Sequence, residues 1–477
     1  MTTDLSSRPI ERGAPRVQRM GPAAWSRKHL FNSWLNSILT VVLIGVLGWA
    51  LFSMFTWAFT QANWSVVVDN FGNFMTGLYP PGSYWRIWSI LGIIMALSGL
   101  SWGVLARNQR QLFSRSVLIG LGAIALFFIL WPLTRPHIPY ILGALVLLAV
   151  GAAAGQAVGR KSAGAAKWIS AAWFVSYFIA LYLLGGGPFF GRGSLSPSLF
   201  YSIIIMLGGS LTAGWQLAQR VSVPSIPSWM SKTVLFLLGF MVVYNILWRV
   251  PYLLGLDFGL ESVSTNSWGG LTLTLLLAIS GIVLCFPAGI LLALGRRSKL
   301  PIVRAFSVAY IELIRGVPLI SILFMGQVLI PLFLPEGVRP DRVVRAIIGL
   351  TIFSAAYLAE NVRAGLQAVP TGQSEAAQSL GLNKPLTTAL IVLPQALKTA
   401  IPAIVGQFIS LFQDTTLLGI VGLVELLGIS QNLLASPIYL GDYKEGYIFI
   451  AAIYWIFCYA MSYGSRKIET ALNTDLR

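Results

Sequence analysis

Glu375-Ala376-Ala377, then Gly381, then Asn383-Lys384-Pro385, then Ile391-Val392-Leu393-Pro394: over twenty residues a polar segment interrupts two apolar runs, 343–365 and 395–415. A helix can begin after Pro370, with acidic Glu375 in its first turn facing the positive end of the helix dipole. Gly381 permits the left-handed conformation that closes that helix. Pro385 suits the first turn of a second helix, where its missing N–H costs little. Pro394 is expected to end that helix before the next span. The stretch thus reads as helix, glycine turn, helix: an elbow between membrane spans, shaped to dock onto a soluble partner. An ordinary connecting loop is the plainer alternative, and it gives the spacing no purpose.

Outward from the elbow the chain is apolar almost throughout. Of 477 residues, 56% are hydrophobic and 10% charged, against roughly 25% charged in soluble domains. Apolar runs of about 20 residues separated by polar breaks predict an all-α, polytopic membrane bundle. The runs are continuous rather than alternating, which excludes a β-barrel. Twelve spans are expected, at 36–60, 87–106, 117–133, 139–158, 168–185, 198–218, 233–250, 269–294, 317–334, 343–365, 395–415 and 447–464. The third and fourth share the short loop 134–138, so a re-entrant pair is the alternative there. No cleavable signal is visible; residues 1–30 are polar and basic, and 36–60 reads as an uncleaved anchor. The chain divides into a basic tail (1–35), a seven-span extension (36–255) and a five-span domain (256–477) carrying the elbow at 370–394. In the extension, Gly151-Ala152-Ala153-Ala154-Gly155 suits close helix packing.

The net charge of +17 invites a nucleic-acid reading. Lys and Arg mark cytoplasmic loops of membrane proteins, however, and here they lie between apolar spans. With both termini cytoplasmic, 25 of the 33 basic residues fall inside. That orientation also puts the elbow in the cytoplasm. Cys285 and Cys458 fall within apolar runs as packing residues, and two histidines make a His-based metal centre improbable. Neither a disulfide nor a metal site is expected. ATP hydrolysis needs a glycine-rich loop with Lys. The nearest approach, Gly155-Gln156-Ala157-Val158-Gly159-Arg160-Lys161-Ser162, has the wrong spacing and Arg160 where Lys belongs. This chain is therefore not expected to be an ATPase.

From about Trp268 to Glu469 the chain resembles the MetI-like transmembrane domain of ABC importers, in the polar amino-acid branch. The elbow matches the EAA loop through which such permeases meet their ATPase. Further support lies in Gly270-Leu271-Thr272-Leu273-Thr274-Leu275, Ile311-Glu312-Leu313-Ile314-Arg315-Gly316-Val317-Pro318-Leu319, Ala356-Tyr357-Leu358-Ala359-Glu360-Asn361-Val362-Arg363-Ala364-Gly365 and Asp414-Thr415-Thr416-Leu417. The long extension, Asn63-Trp64, Tyr79-Pro80-Pro81 and Leu332-Phe333-Leu334-Pro335 resemble the M-type permease of general L-amino-acid transporters. One departure is Gln413, where amino-acid permeases commonly carry Lys. The resemblance implies ATPase coupling through Glu375, Ala376, Ala377, Gly381, Ile391, Leu393 and Pro394. It implies an ATPase dimer holding ATP and Mg, a second and similar permease chain, and a periplasmic amino-acid-binding protein. The setting would be the bacterial inner membrane and the cargo L-amino acids, with no cofactor in this chain and no nucleic acid.

Charges inside apolar runs normally face protein or a water path. Glu312 with Arg315, and Glu360 with Arg363, are three apart on a helix and suited to pairing. Glu312, Arg315 and Pro318 are assigned to structure or gating; Glu360 and Arg363 to the substrate pathway. Asp414-Thr415-Thr416 follows some twenty residues of span. Asp414 suits an amino acid's ammonium, and the Thr hydroxyls or a helix N-terminus its carboxylate. Capping of the next helix by Asp and Thr is the structural alternative. Glu425 is a further charge at the end of an apolar run. An ion-coupled secondary transporter is the competing class; it predicts an inverted repeat, and no counterpart of the elbow occurs in the first half.

Overall fold

The computed structural model describes residues 21–108, 137–162, 164–186, 260–335 and 340–473, with isolated positions inside 112–126 and 234–242. It forms two compact units, 1–64 and 65–477. In the first, α1 (Pro22–His29) precedes α2 (Trp34–Thr60), whose entry is capped by Ser33 Oγ accepting the Asn36 N–H at 3.2 Å. At 1.5 Å per residue, α2 is about 40 Å long, enough to cross a bilayer.

The second unit opens with two short helices, α3 (Ser65–Asp69) and α4 (Phe71–Thr76), and then α5 (Tyr84–Leu105), α6 (Ile138–Lys161) and α7 (Ala165–Gly185). Small residues decide how α5 and α6 meet. A Cβ added at Gly103 would lie 2.1 Å from the Ala152 carbonyl oxygen, and one at Gly155 would lie 2.2 Å from that of Leu100. The backbones touch, so the Gly151–Gly155 run packs as its composition predicts. Trp173 Nε1 donates to Ser101 Oγ at 2.9 Å, tying α7 to α5. Tyr79 donates to the Leu184 carbonyl at 3.0 Å, and burial pushes its phenol up.

The remaining helices are α8 (Gly270–Arg296), α9 (Pro301–Gly316), α10 (Leu319–Phe333), α11 (Arg342–Ala368), α12 (Thr371–Ser379), α13 (Lys384–Thr387), α14 (Leu393–Asp414), α15 (Leu426–Leu434) and α16 (Tyr443–Asn473). Helix α8 is central. It packs on α11 and α14 through Leu277, Cys285, Ala293, Leu358 and Leu411. Tyr177 donates to Ser280 Oγ at 2.7 Å, joining α7 to α8. Around the start of α8, Gly77 bridges to Trp268 and the Thr272 hydroxyl donates to the Met75 carbonyl at 2.8 Å. Residues between α2 and α5 thus pack against the start of α8.

Among the described residues eight helices are long and apolar enough to cross a membrane, or nine if the bent pair α9–α10 is one span. These coincide with nine of the expected runs. The runs at 117–133, 198–218 and 233–250 lie wholly or largely outside the described residues, so twelve spans are not established. The expected span 317–334 is α10, entered through a 107° bend from α9. The cause is local. Val317 precedes proline and is extended (φ −106°, ψ 133°), as the clash with the proline ring requires.

Candidate functional site

The elbow is built from α12, a glycine turn and α13. Helix α12 ends as Gly381 N–H donates to the Gln378 carbonyl at 2.9 Å and Leu382 N–H to that of Ala377 at 3.2 Å. Gly381 has φ +84°, and a Cβ there would meet nothing within 4 Å. Glycine is needed for backbone conformation alone. Asn383 caps α13, its side chain accepting the Leu386 N–H at 3.0 Å, and Pro385 sits in the first turn.

Two details of the expected elbow are corrected. Glu375 is not in the first turn of α12, because the helix already starts at Thr371; it lies exposed beyond that turn. Pro394 does not end the second helix. A wide π turn, Thr388–Val392, carries the chain from α13 straight into α14, and Pro394 falls in the first turn of α14. The wider turn re-spaces the carbonyls, so a residue without N–H is accommodated there.

The two ends of the elbow face different surroundings. Ala376, Leu380, Leu386 and Leu390 are exposed, as is Glu375, while Ala377 is buried. Val392 and Ala396 pack with Ile311, Leu358, Val362 and Leu366, and Ile391 and Leu393 are half-buried at that margin. Close by, a Cβ on Gly365 would lie 2.3 Å from the Ala396 carbonyl oxygen, so α11 and α14 run backbone to backbone. A displacement of the elbow cannot be absorbed by soft side chains there.

Ion pairs gather at this end of the bundle. Glu360 pairs with Arg363 on α11, as expected, and Arg296 reaches Glu360 at 3.4 Å and Glu312 at 3.0 Å. The expected Glu312–Arg315 pair is not formed. Arg296, entering from α8, takes Glu312, while the Arg315 guanidinium lies 5.7 Å from the Tyr357 ring centroid. A shared cation and a cation–π contact outweigh an exposed i,i+3 pair of a few tenths of a kcal/mol. Pro318 stands at the α9–α10 bend.

At the other end of α14 the helix narrows into a 3₁₀ turn, Thr415–Val421. Asp414 is half-buried, and among the described residues its carboxylate has no hydrogen bond or ion pair. The Thr415 and Thr416 hydroxyls donate backwards, to Phe412 at 2.7 Å and Gln413 at 2.8 Å. The expectation that Asp and Thr cap the next helix is therefore corrected. The cap is Glu425, whose carboxylate accepts from Leu427 N–H at 2.7 Å and Gly428 N–H at 2.8 Å. Ten residues separate Thr415 from Glu425, beyond the reach of a single cap.

Glu425 is fully buried and anchors a polar cluster that sequence reasoning left unassigned. Tyr454 of α16 donates to it at 3.4 Å, and Leu426 N–H donates to Thr274 Oγ1 of α8 at 3.0 Å. The available signal was a carboxylate directly before the apolar Leu426-Leu427, the pattern of a helix start. Among the described residues no group of His, Cys, Asp or Glu is arranged to hold a metal. The stretch Gly155–Lys161 is helix, packed on α5, and forms no phosphate loop.

The family model described as "binding-protein-dependent transport system inner membrane component" matches residues 285–472. The chain is 35% identical to the inner membrane amino-acid ABC transporter permease protein YhdY of Escherichia coli, covering 99% of each. It is 32% identical to the glutamate/glutamine/aspartate/asparagine transport system permease protein BztC of Rhodobacter capsulatus, covering all of both. The probable amino-acid permease protein YxeN of Bacillus subtilis is 34% identical over 207 residues, 91% of its own length but 43% of this chain.

Proposed function

This chain belongs to the amino-acid ABC transporter permeases, multi-pass inner-membrane subunits without ATPase activity of their own, and from that membership we propose how it is coupled and what it moves. The cargo is L-amino acids, carried inward. The elbow at 370–394 is the contact for a separate ATPase dimer, which binds the ATP and Mg. Both termini and the elbow are cytoplasmic, in keeping with the distribution of Lys and Arg. A second permease chain and a periplasmic binding protein complete the assembly. The extension, 36–255, serves as scaffold for the five-span domain.

One observation carries this reading. The elbow's outward side is exposed and apolar at Leu380, Leu386 and Leu390, while Val392 is wedged among α9, α11 and α14. Closure of the ATPase dimer pushes on Glu375, Ala376 and Gly381. The push passes through Ile391, Leu393 and Pro394 into α14, and through the Gly365 contact into α11. Helices α11 and α14 then reorient, so that the path opens to one side and then the other, with ligands setting the populations. Asp414, with Thr415 and Thr416 beside it, lines the far part of the path; Glu360 and Arg363 stand at its inner end.

Gly381→Ile tests the reading. A β-branched residue at positive φ costs about 1–2 kcal/mol and reshapes the turn without any clash. The variant should insert normally, lose the co-purifying ATPase, and show at least tenfold less ATP-driven amino-acid uptake in proteoliposomes. Gly381→Asn, which tolerates the left-handed region, should keep most of both. Full co-purification and uptake by Gly381→Ile would refute the coupling role.

A further inference from the structure

Helix α9 lies beside the elbow, and its surface divides into three sectors. Ser307 and Ile311 are buried against the bundle. Ile302, Phe306 and Leu313 form an apolar sector that the protein leaves open, 84%, 66% and 68% exposed. Arg304, Glu312 and Arg315 lie on the remaining side. With one open apolar sector, charged residues on another side and a 107° turn from the helix that follows it, α9 has the form of a helix suited to lie along a membrane surface.

The charge at its start is unbalanced. Lys299, immediately before α9, and Lys384, at the start of α13, stand side by side despite their like charge. Arg304 lies one turn into α9. All three are exposed, and among the described residues none has a carboxylate partner. Leu300 and Ile302, next to them, are exposed apolar residues. Two lysines side by side next to exposed Leu300 and Ile302, with Arg304 on the flank of the same helix, call for a ligand with a negative head and a hydrocarbon body.

We propose that the start of α9, together with Lys384 of the elbow, is a binding surface for anionic phospholipid of the inner leaflet. The phosphate bridges Lys299 and Lys384, with Arg304 alongside, and the acyl chains lie over Ile302, Phe306 and Leu313. A headgroup so held joins the membrane-surface helix to the elbow, so that inner-leaflet charge tunes how firmly the elbow is seated. The inference rests on the cytoplasmic position of the elbow proposed above.

The test uses the assembled transporter in proteoliposomes of phosphatidylcholine, with and without 30% phosphatidylglycerol (on the order of a cell-membrane anionic fraction). Each preparation is normalised to retained ATPase. Phosphatidylglycerol should raise wild-type uptake about fivefold, the scale of one basic contact with an anionic surface, and high salt should erase the gain. The double variant Lys299→Gln/Arg304→Gln should lose the stimulation. Equal stimulation in wild type and variant, or none in wild type, overturns the proposal. So does loss of ATPase from the variant in lipid-free detergent, which would mean that the cations dock protein. Neither residue lies in the elbow, so failure of the coupling role in Gly381→Ile is read separately from failure here.

Discussion

The α5–α6 seam of the extension and the α11–α14 seam of the carboxy-terminal half are made by the same device and set in different surroundings. In both, glycine brings one helix backbone onto another, at Gly103 and Gly155 in the first and Gly365 in the second. The first seam joins two helices with no proline past the first turn and no wide turn inside them, and ends where Gln156 Nε2 donates to the Ala106 carbonyl at 3.2 Å. The second is surrounded by features that disturb regular helices. Pro287 and Pro402 lie inside α8 and α14, a π turn leads into α14, and a 3₁₀ turn leaves it. Three carboxylate and arginine contacts gather beside it. On the coupling proposed above, a glycine seam between regular helices would hold still, while the same seam between interrupted helices would pass on a push as a change of packing, because interiors do not deform smoothly.

The sharpest way to break this contrast is Gly103→Val. Its side chain would enter the Ala152 backbone, which cannot move aside, so α5 and α6 must separate at a cost of about 3 kcal/mol. Membrane-inserted protein, measured by thermal unfolding in detergent and by quantitative blotting, should fall at least tenfold. The surviving fraction should still couple ATP hydrolysis to uptake normally. If it assembles fully but uncouples, the extension is part of the moving machinery.

Next in size is Glu425→Ala. It removes the cap of α15 and leaves the Leu427 and Gly428 N–H groups without an acceptor, costing about 2 kcal/mol. Uptake should drop roughly tenfold while the elbow still binds its ATPase. Glu425→Gln, which keeps an acceptor oxygen, should recover most of the loss. Equal damage from both substitutions would point to a need for the charge itself rather than for the cap.

How much of this was legible beforehand depends on whether the deciding contact is local. Gly381 could be read because a left-handed turn leaves its mark on one residue. The nine apolar runs within the described residues could be read because length and composition suffice. Pro394 was misread: the rule that proline ends a helix holds for regular spacing, and the π turn at 388–392 carries no residue signature. Glu312 was misread because Arg296, its partner, arrives from a different helix. Helix α9 is legible only around Glu312 and Arg315, although Ile302, Phe306 and Leu313 also repeat at helical spacing; so amphipathic a helix does not register as a span. Asp414 and Thr415 are adjacent in sequence yet differ in kind, one half-buried and without a partner among the described residues, the other fully buried with its hydroxyl on the Phe412 carbonyl.

That difference makes Asp414→Ala the next test. Its carboxylate holds nothing in the described structure, so removal should leave assembly and thermal stability unchanged. If it receives the ammonium of the cargo, uptake should fall about tenfold through KM, the worth of one charged hydrogen bond. Unchanged kinetics would remove Asp414 from the path.

The smallest expected effect comes from Glu312→Gln, and it probes the side of the comparison said to move. Glu312 is about half exposed, and Arg296 retains Glu360 when Glu312 loses its charge. An exposed pair of this kind contributes less than about 1 kcal/mol, so stability should change little and uptake no more than about twofold. Glu360→Gln should cost more, since that carboxylate holds both Arg363 and Arg296. If the two substitutions act equally, α9 is fastened to α8 as firmly as α11 is, and the contact between α8 and α9 belongs with the static seams rather than with the moving ones.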